Sequence, residues 1–133
     1  MPEKIINPKV LILEDEPVIC KILTRAFKSA GVSVEIAADG LTAKEKIKSG
    51  EKYDAFIFDI RTPGMSGIQL YEYMENNNPE LAGKVVFMTG DCLSTATAAF
   101  FNRVGRPYII KPFAPSEILE LIKPLLHPEK ASA

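Results

Sequence analysis

Five short apolar runs, separated by segments of helical periodicity, constrain this chain more than any other feature. They centre on Val10-Leu11-Ile12-Leu13, Val34-Glu35-Ile36, Ala55-Phe56-Ile57-Phe58, Val85-Val86-Phe87-Met88 and Tyr108-Ile109-Ile110. Near-continuous Val, Ile, Leu and Phe is what parallel strands need when helices cover both faces of a sheet. The runs predict strands at about 9–14, 33–37, 55–59, 84–89 and 107–110.

Helical signals fill the intervals. Glu16-Pro17 suits a first turn, where proline removes no needed hydrogen bond. Ile19, Ile22, Leu23, Ala26 and Phe27 then form an apolar stripe that ends at Gly31. The second helix follows Asp39-Gly40 and is polar, with little more than Leu41, Ala43 and Ile47 to bury. The third runs from about Ser66 to Asn77, with Ile68, Tyr71 and Met74 inward, and Asn78-Pro79 ends it. The fourth runs from about Ser94 to Arg103. The fifth starts near Pro115-Ser116 and carries Ile118, Leu119, Ile122, Leu125 and Leu126.

Five strand–helix units imply an α/β fold of three layers, a doubly wound parallel sheet with right-handed crossovers. A strand order of 2-1-3-4-5 puts the topological switch between strands 1 and 3, where open sheets of this kind bind ligands. The residues at the strand exits are therefore the candidates for chemistry. Strand 1 runs into Glu14-Asp15-Glu16 and strand 3 ends in Asp59. Strand 4 gives Thr89-Gly90-Asp91 and strand 5 gives Lys111-Pro112-Phe113. Carboxylates, a hydroxyl and an ammonium at one sheet edge suit a divalent cation beside a phosphoryl group.

Composition narrows the function classes. A chain of 133 residues with 47% apolar and 25% charged residues fits one ordinary soluble domain. A net charge of −1 gives no basic footprint for nucleic acid. No apolar stretch approaches the roughly 20 residues that span a bilayer. Met1-Pro2-Glu3-Lys4 opens no signal peptide. Cys20 and Cys92 make no metal or redox pattern and read as reduced thiols, which fits a cytoplasmic location. His127, the one histidine, sits where no triad can use it.

Four ordered motifs carry a family resemblance: Glu14-Asp15, Asp59 with Pro63 and Gly67 behind it, Thr89-Gly90, and Lys111-Pro112-Phe113. Together they resemble the receiver domain of two-component response regulators, over about residues 9–126. The resemblance implies a flavodoxin-like sheet with five helices, an N-terminal extension over 1–8 and a mobile tail over 127–133. It implies a signalling module rather than an enzyme. Asp59 is then the phosphoacceptor, a carboxylate nucleophile that forms an acyl phosphate. Asp15, Asp59 and the backbone carbonyl of Arg61 would hold Mg²⁺ (or Mn²⁺), with Glu14 acting through water. Lys111 would pair with Asp59 and then with the phosphoryl group, Thr89 would donate its hydroxyl, and Tyr108 would turn inward as Thr89 moves. A cis Lys111–Pro112 bond is implied as well. The donor would be a histidine kinase or a histidine phosphotransfer protein. The output would be an unknown protein docked on the fourth helix, fifth strand and fifth helix, with no direct nucleic acid and no membrane.

Arg61 and Asp91 depart from the commonest family pattern. They bear opposite charges at loop starts after neighbouring strands, which makes them candidate modulators of phosphoryl lifetime. Two other readings compete. An aspartate-nucleophile phosphatase of the haloacid-dehalogenase type needs D-x-D-x-T, and Arg61 stands where its second acid belongs. A flavodoxin-like cofactor binder needs a phosphate loop after strand 1, where Glu14-Asp15-Glu16 would repel the phosphate.

Overall fold

The computed structural model describes residues 7–90 and 94–126. Asp91, Cys92 and the expected tail from His127 lie outside the described residues. The elements run β1 (Lys9–Leu13), α1 (Pro17–Ser29), β2 (Ser33–Ala37), α2 (Gly40–Lys48), β3 (Ala55–Asp59), α3 (Gly67–Asn77), α4 (Pro79–Ala82), β4 (Val85–Thr89), α5 (Thr95–Val104), β5 (Tyr108–Ile110) and α6 (Pro115–Leu126). All strand pairs are parallel, in the order β2-β1-β3-β4-β5.

Period-two alternation along the strands divides the core in two. Leu11, Leu13, Phe56, Phe58 and Phe87 face one layer with Ala43, Leu70, Met74 and Phe101. Val10, Ile12, Ala55, Ile57, Val86 and Met88 face the other with Leu23, Phe27, Ile118 and Ile122. β3 and β4 are buried along their whole length, whereas the edge strands β2 and β5 are part exposed. The sheet thus holds the exits of β1, β3 and β4 in a rigid row.

Three expectations need correction. A sixth helix, α4, follows α3: Asn78 ends one helix, and Pro79 then suits the first turn of the next. Ile22 and Leu41, counted among inward residues, are 47% and 56% exposed. Ile22 lies at the rim of the α1 stripe, so Leu23 and Phe27 take the core positions instead. Leu41 lies in the first turn of α2, which buries only Gly40, Ala43 and Ile47. The Lys111–Pro112 bond is cis, as expected.

Candidate functional site

Strand register assembles the site. Leu13 pairs with Phe58, so the next residues, Glu14 and Asp59, leave adjacent strands side by side. Asp59 pairs with Met88 and Thr89 with Ile110, which aligns the β4 and β5 exits with them. The Glu14 N–H still donates to the Ala37 carbonyl (3.0 Å), and the Lys111 N–H to the Thr89 carbonyl (2.7 Å). The ladder therefore extends just far enough to fix both side chains.

Lys111 is the hub. Its Nζ donates to Asp59 Oδ2 at 2.8 Å and to Glu14 Oε1 at 2.7 Å. Glu14 is fully buried and Asp59 is 5% exposed. Their remaining oxygens are also occupied: the Arg61 N–H donates to Asp59 Oδ1 (3.1 Å) and the Glu16 N–H to Glu14 Oε2 (3.1 Å). Burial pushes the Glu14 carboxyl up, and its bond from Lys111 only partly opposes this. For Lys111, burial favours the neutral amine, but the bonds to Asp59 and Glu14 outweigh it and raise the ammonium above its usual range. Lys111 is therefore a fixed positive charge at neutral pH.

Asp15 is exposed at the mouth. Glu14, Asp15 and Asp59 each bring one carboxylate oxygen to within 4.8 Å of the others. Three carboxylates against one ammonium leave the cluster short of positive charge. All the converging donors are hard oxygens, which suits Mg²⁺ and does not suit a thiophilic metal. The residues present therefore fit the divalent cation that the sequence suggested.

The other candidates fall around this centre. Thr89 is fully buried at the end of β4. Gly90 beside it is exposed and has open space where a side chain would stand. Arg61 is exposed in the loop after β3. Tyr108 lies on β5 with its ring 4.2 Å from that of Phe101 and nearly parallel to it, at 8°. It is 37% exposed, on the outer side of the sheet edge.

Sequence reasoning missed three participants. The Lys111–Glu14 bond joins residues 97 apart, and no local pattern signals it. Phe101 lies beside Phe100 in its helix, and the sequence does not show which of the two rings reaches β5. Gly40 marks only a helix start in the sequence pattern, although a glycine in a first turn is a poor helix former and hints at close packing.

Comparisons with known proteins agree with this fold. Residues 10–123 match the profile of the response regulator receiver domain. The Regulator of RpoS from Escherichia coli K12 is 30% identical over 130 residues, covering 96% of this chain and 37% of that protein. A probable transcriptional regulatory protein, TcrX, from Mycobacterium tuberculosis is 27% identical, covering 88% of this chain and 49% of that protein. The chain thus spans about half or less of the length of these two relatives. A CheY-like receiver domain protein from Methanospirillum hungatei superposes with a TM-score of 0.81 at 30% identity, covering 95% of this chain and 98% of the other. The response regulator TrrA from Thermotoga maritima, solved in complex with Mg²⁺ and BeF, gives 0.77 at 28% identity, covering 90% and 99%.

Proposed function

Because this chain belongs to the response regulator receiver family, we propose that it accepts a phosphoryl group on Asp59 from a phosphohistidine donor. The observation that carries the reading is the position of Asp59. Its carboxylate stands at the exit of a buried strand, with Lys111 Nζ at 2.8 Å and two further acids close by. An Asp59 oxygen attacks phosphorus, the bond to the donor's imidazole nitrogen breaks, and its electron pair stays on that nitrogen.

Asp15, Asp59 and the Arg61 carbonyl would hold Mg²⁺ (or Mn²⁺), with Glu14 linked through water. When bound, the cation neutralises charge on the transferring group. Lys111 leaves Asp59 for a phosphoryl oxygen, a move its flexible stem permits. Thr89 donates its hydroxyl to the same group, and Gly90 leaves it room. Water is excluded on the strand side, where Phe58 and Met88 are fully buried. Arg61 and Asp91 would set how long the phosphoryl group survives.

The reading extends to partners. A donor, whether a histidine kinase or a phosphotransfer protein, needs a seat beside Lys111. An apolar groove of Ile19, Ile22, Pro112, Phe113 and Pro115 reaches that residue. The output would travel from Thr89 to Tyr108 and the surface of α5, β5 and α6, where a downstream protein docks. Phosphate gain shifts that surface only by favouring one of two states already populated. A cytoplasmic setting accompanies this role, and no helix among the described residues is long and apolar enough to cross a membrane.

Incubation with acetyl phosphate and Mg²⁺, followed by intact mass, tests the proposal. One added phosphoryl group is expected, dependent on Mg²⁺ and absent from Asp59→Asn. Full labelling of Asp59→Asn would overturn the assignment.

A further inference from the structure

The loop that follows Asp59 is part buried and part exposed. Ile60 is buried and its N–H donates to the Met88 carbonyl (3.1 Å). Beyond it, Arg61, Pro63 and Gly64 are exposed. Within the loop, the Thr62 hydroxyl donates to the Met65 carbonyl (3.2 Å). Its outer support comes from α2, the helix whose sequence promised least packing.

Gly40 opens α2 and is buried against this loop. A Cβ built on Gly40 would lie 1.8 Å from the Met65 carbonyl oxygen and 2.7 Å from Met65 Cβ. The Gly40 N–H faces the Pro63 carbonyl at 3.4 Å, and Leu41 lies over Gly64. The opposite end of the loop is closed in the same manner. A Cβ on Gly67 would lie 2.2 Å from the Asp59 carbonyl oxygen. Two helix starts therefore press on one short loop, each through a residue without a side chain. Nothing at Gly40 demands glycine for backbone reasons, since it is not among the positive-φ glycines. Close approach alone accounts for it.

We propose that Gly40 is a positioning residue that sets the loop carrying the Arg61 carbonyl to the cation. This rests on the receiver reading above. A methyl at Gly40 demands more than an ångström of movement before it clears the Met65 carbonyl. α2 is anchored by Ala43, which is fully buried, and by its Asp39 cap, whose Oδ1 accepts the Thr42 N–H at 2.8 Å. Arg61, Pro63 and Gly64 of the loop are exposed, so the part of the loop before Met65, which itself packs against the core, takes up the displacement. Mg²⁺ demands near-ideal octahedral geometry at about 2.0–2.1 Å, so a displaced carbonyl is a lost ligand. The Arg61 N–H, bonded to Asp59 Oδ1, carries the same disturbance to the acceptor carboxylate.

The test is Mg²⁺ affinity by calorimetric titration, measured well below the melting temperature of each variant. Gly40→Ala is expected to bind Mg²⁺ at least about tenfold more weakly while remaining folded by circular dichroism. Gly83→Ala is the control, because its Cβ meets only the Glu80 carbonyl at 3.5 Å, and wild-type affinity is expected there. A role in stability alone would lower the melting temperature of Gly40→Ala and leave Mg²⁺ affinity unchanged, and that result overturns the proposal. Should Gly40→Ala fail to fold, Leu41→Ala decides. Its side chain is exposed, and about threefold weaker Mg²⁺ binding is expected, with wild-type affinity overturning the proposal. Absence of Mg²⁺ binding in the unsubstituted protein would overturn the proposed Mg²⁺-dependent phosphoacceptor function along with it, which separates the two failures.

Discussion

Lys111 binds Glu14 as closely as it binds Asp59: its Nζ lies 2.7 Å from Glu14 Oε1 and 2.8 Å from Asp59 Oδ2. Glu14 has no exposure at all, so its charge depends on this one ammonium and on the Glu16 N–H. The lysine therefore serves the resting fold as well as the phosphoryl chemistry proposed for it.

Lys111→Met should accordingly destabilise the protein when no divalent cation is present. Two buried carboxylates are left facing each other, and breaking one side of a buried ion pair costs about 3–5 kcal/mol. Asp15 at the solvent-facing mouth lets water in, so about 2–4 kcal/mol is expected. If the cation binds the folded cluster as proposed, Mg²⁺ should recover part of it. Urea unfolding of both proteins with and without Mg²⁺ checks this. A variant as stable as the parent in EDTA contradicts it.

The Tyr108–Phe101 stack should report the switch. Phe101→Leu removes a ring contact and part of a buried side chain, for a loss of about 1–2 kcal/mol. Beryllofluoride with Mg²⁺ should move the Tyr108 ring resonances in the parent protein, and less in Phe101→Leu, where the outward position is no longer held. Shifts confined to α1 and α2, with β5 silent, would show that the coupling runs elsewhere.

Arg61 and Asp91 should act on the rate at which phosphate leaves Asp59. If they pair across the path of the attacking water, each alanine variant speeds hydrolysis and the double variant is non-additive. A tenfold change corresponds to roughly 1.4 kcal/mol of barrier. Loss of labelled phosphate from the single and double variants measures it. Unchanged hydrolysis in both single variants removes the pair from the mechanism.

Tyr53 offers a pH-dependent test far from the site. Its hydroxyl donates to Glu35 Oε2, and the residue is 3% exposed. Burial first, and then the Glu35 bond, push the phenol above its ordinary value of 10.0. A folded value above the unfolded one means the stabilisation is complete below about pH 10 and is lost as pH rises beyond it. Tyr53→Phe should cost about 1–2 kcal/mol at pH 7, where Glu35 keeps Lys9 and Lys46 as partners. It should also lose less stability than the parent between pH 9 and pH 11, on the scale of about that same bond. Urea midpoints at the two pH values decide it.

Sequence by itself determined the five strands, their parallel order and the row of Glu14, Asp15, Asp59, Thr89 and Lys111 at one edge. These follow from local pattern: buried parallel strands must be continuously apolar, so the first polar residue after each run marks its exit. It also placed the cis bond before Pro112, though only through the likeness to a family. The tertiary structure alone decided which groups touch. Glu14 meets Lys111 because the exits of β1, β3, β4 and β5 line up at one end of the sheet and the long lysine side chain reaches back from β5 past β4, a relation set by strand order and register rather than by spacing along the chain. Gly40 reaches the Met65 carbonyl because α2 packs down onto the loop after β3. Ile22 and Leu41 stay exposed because helical periodicity gives the direction of a stripe but not its width. That width is fixed by how closely the neighbouring layer approaches, and only the packed molecule supplies that distance.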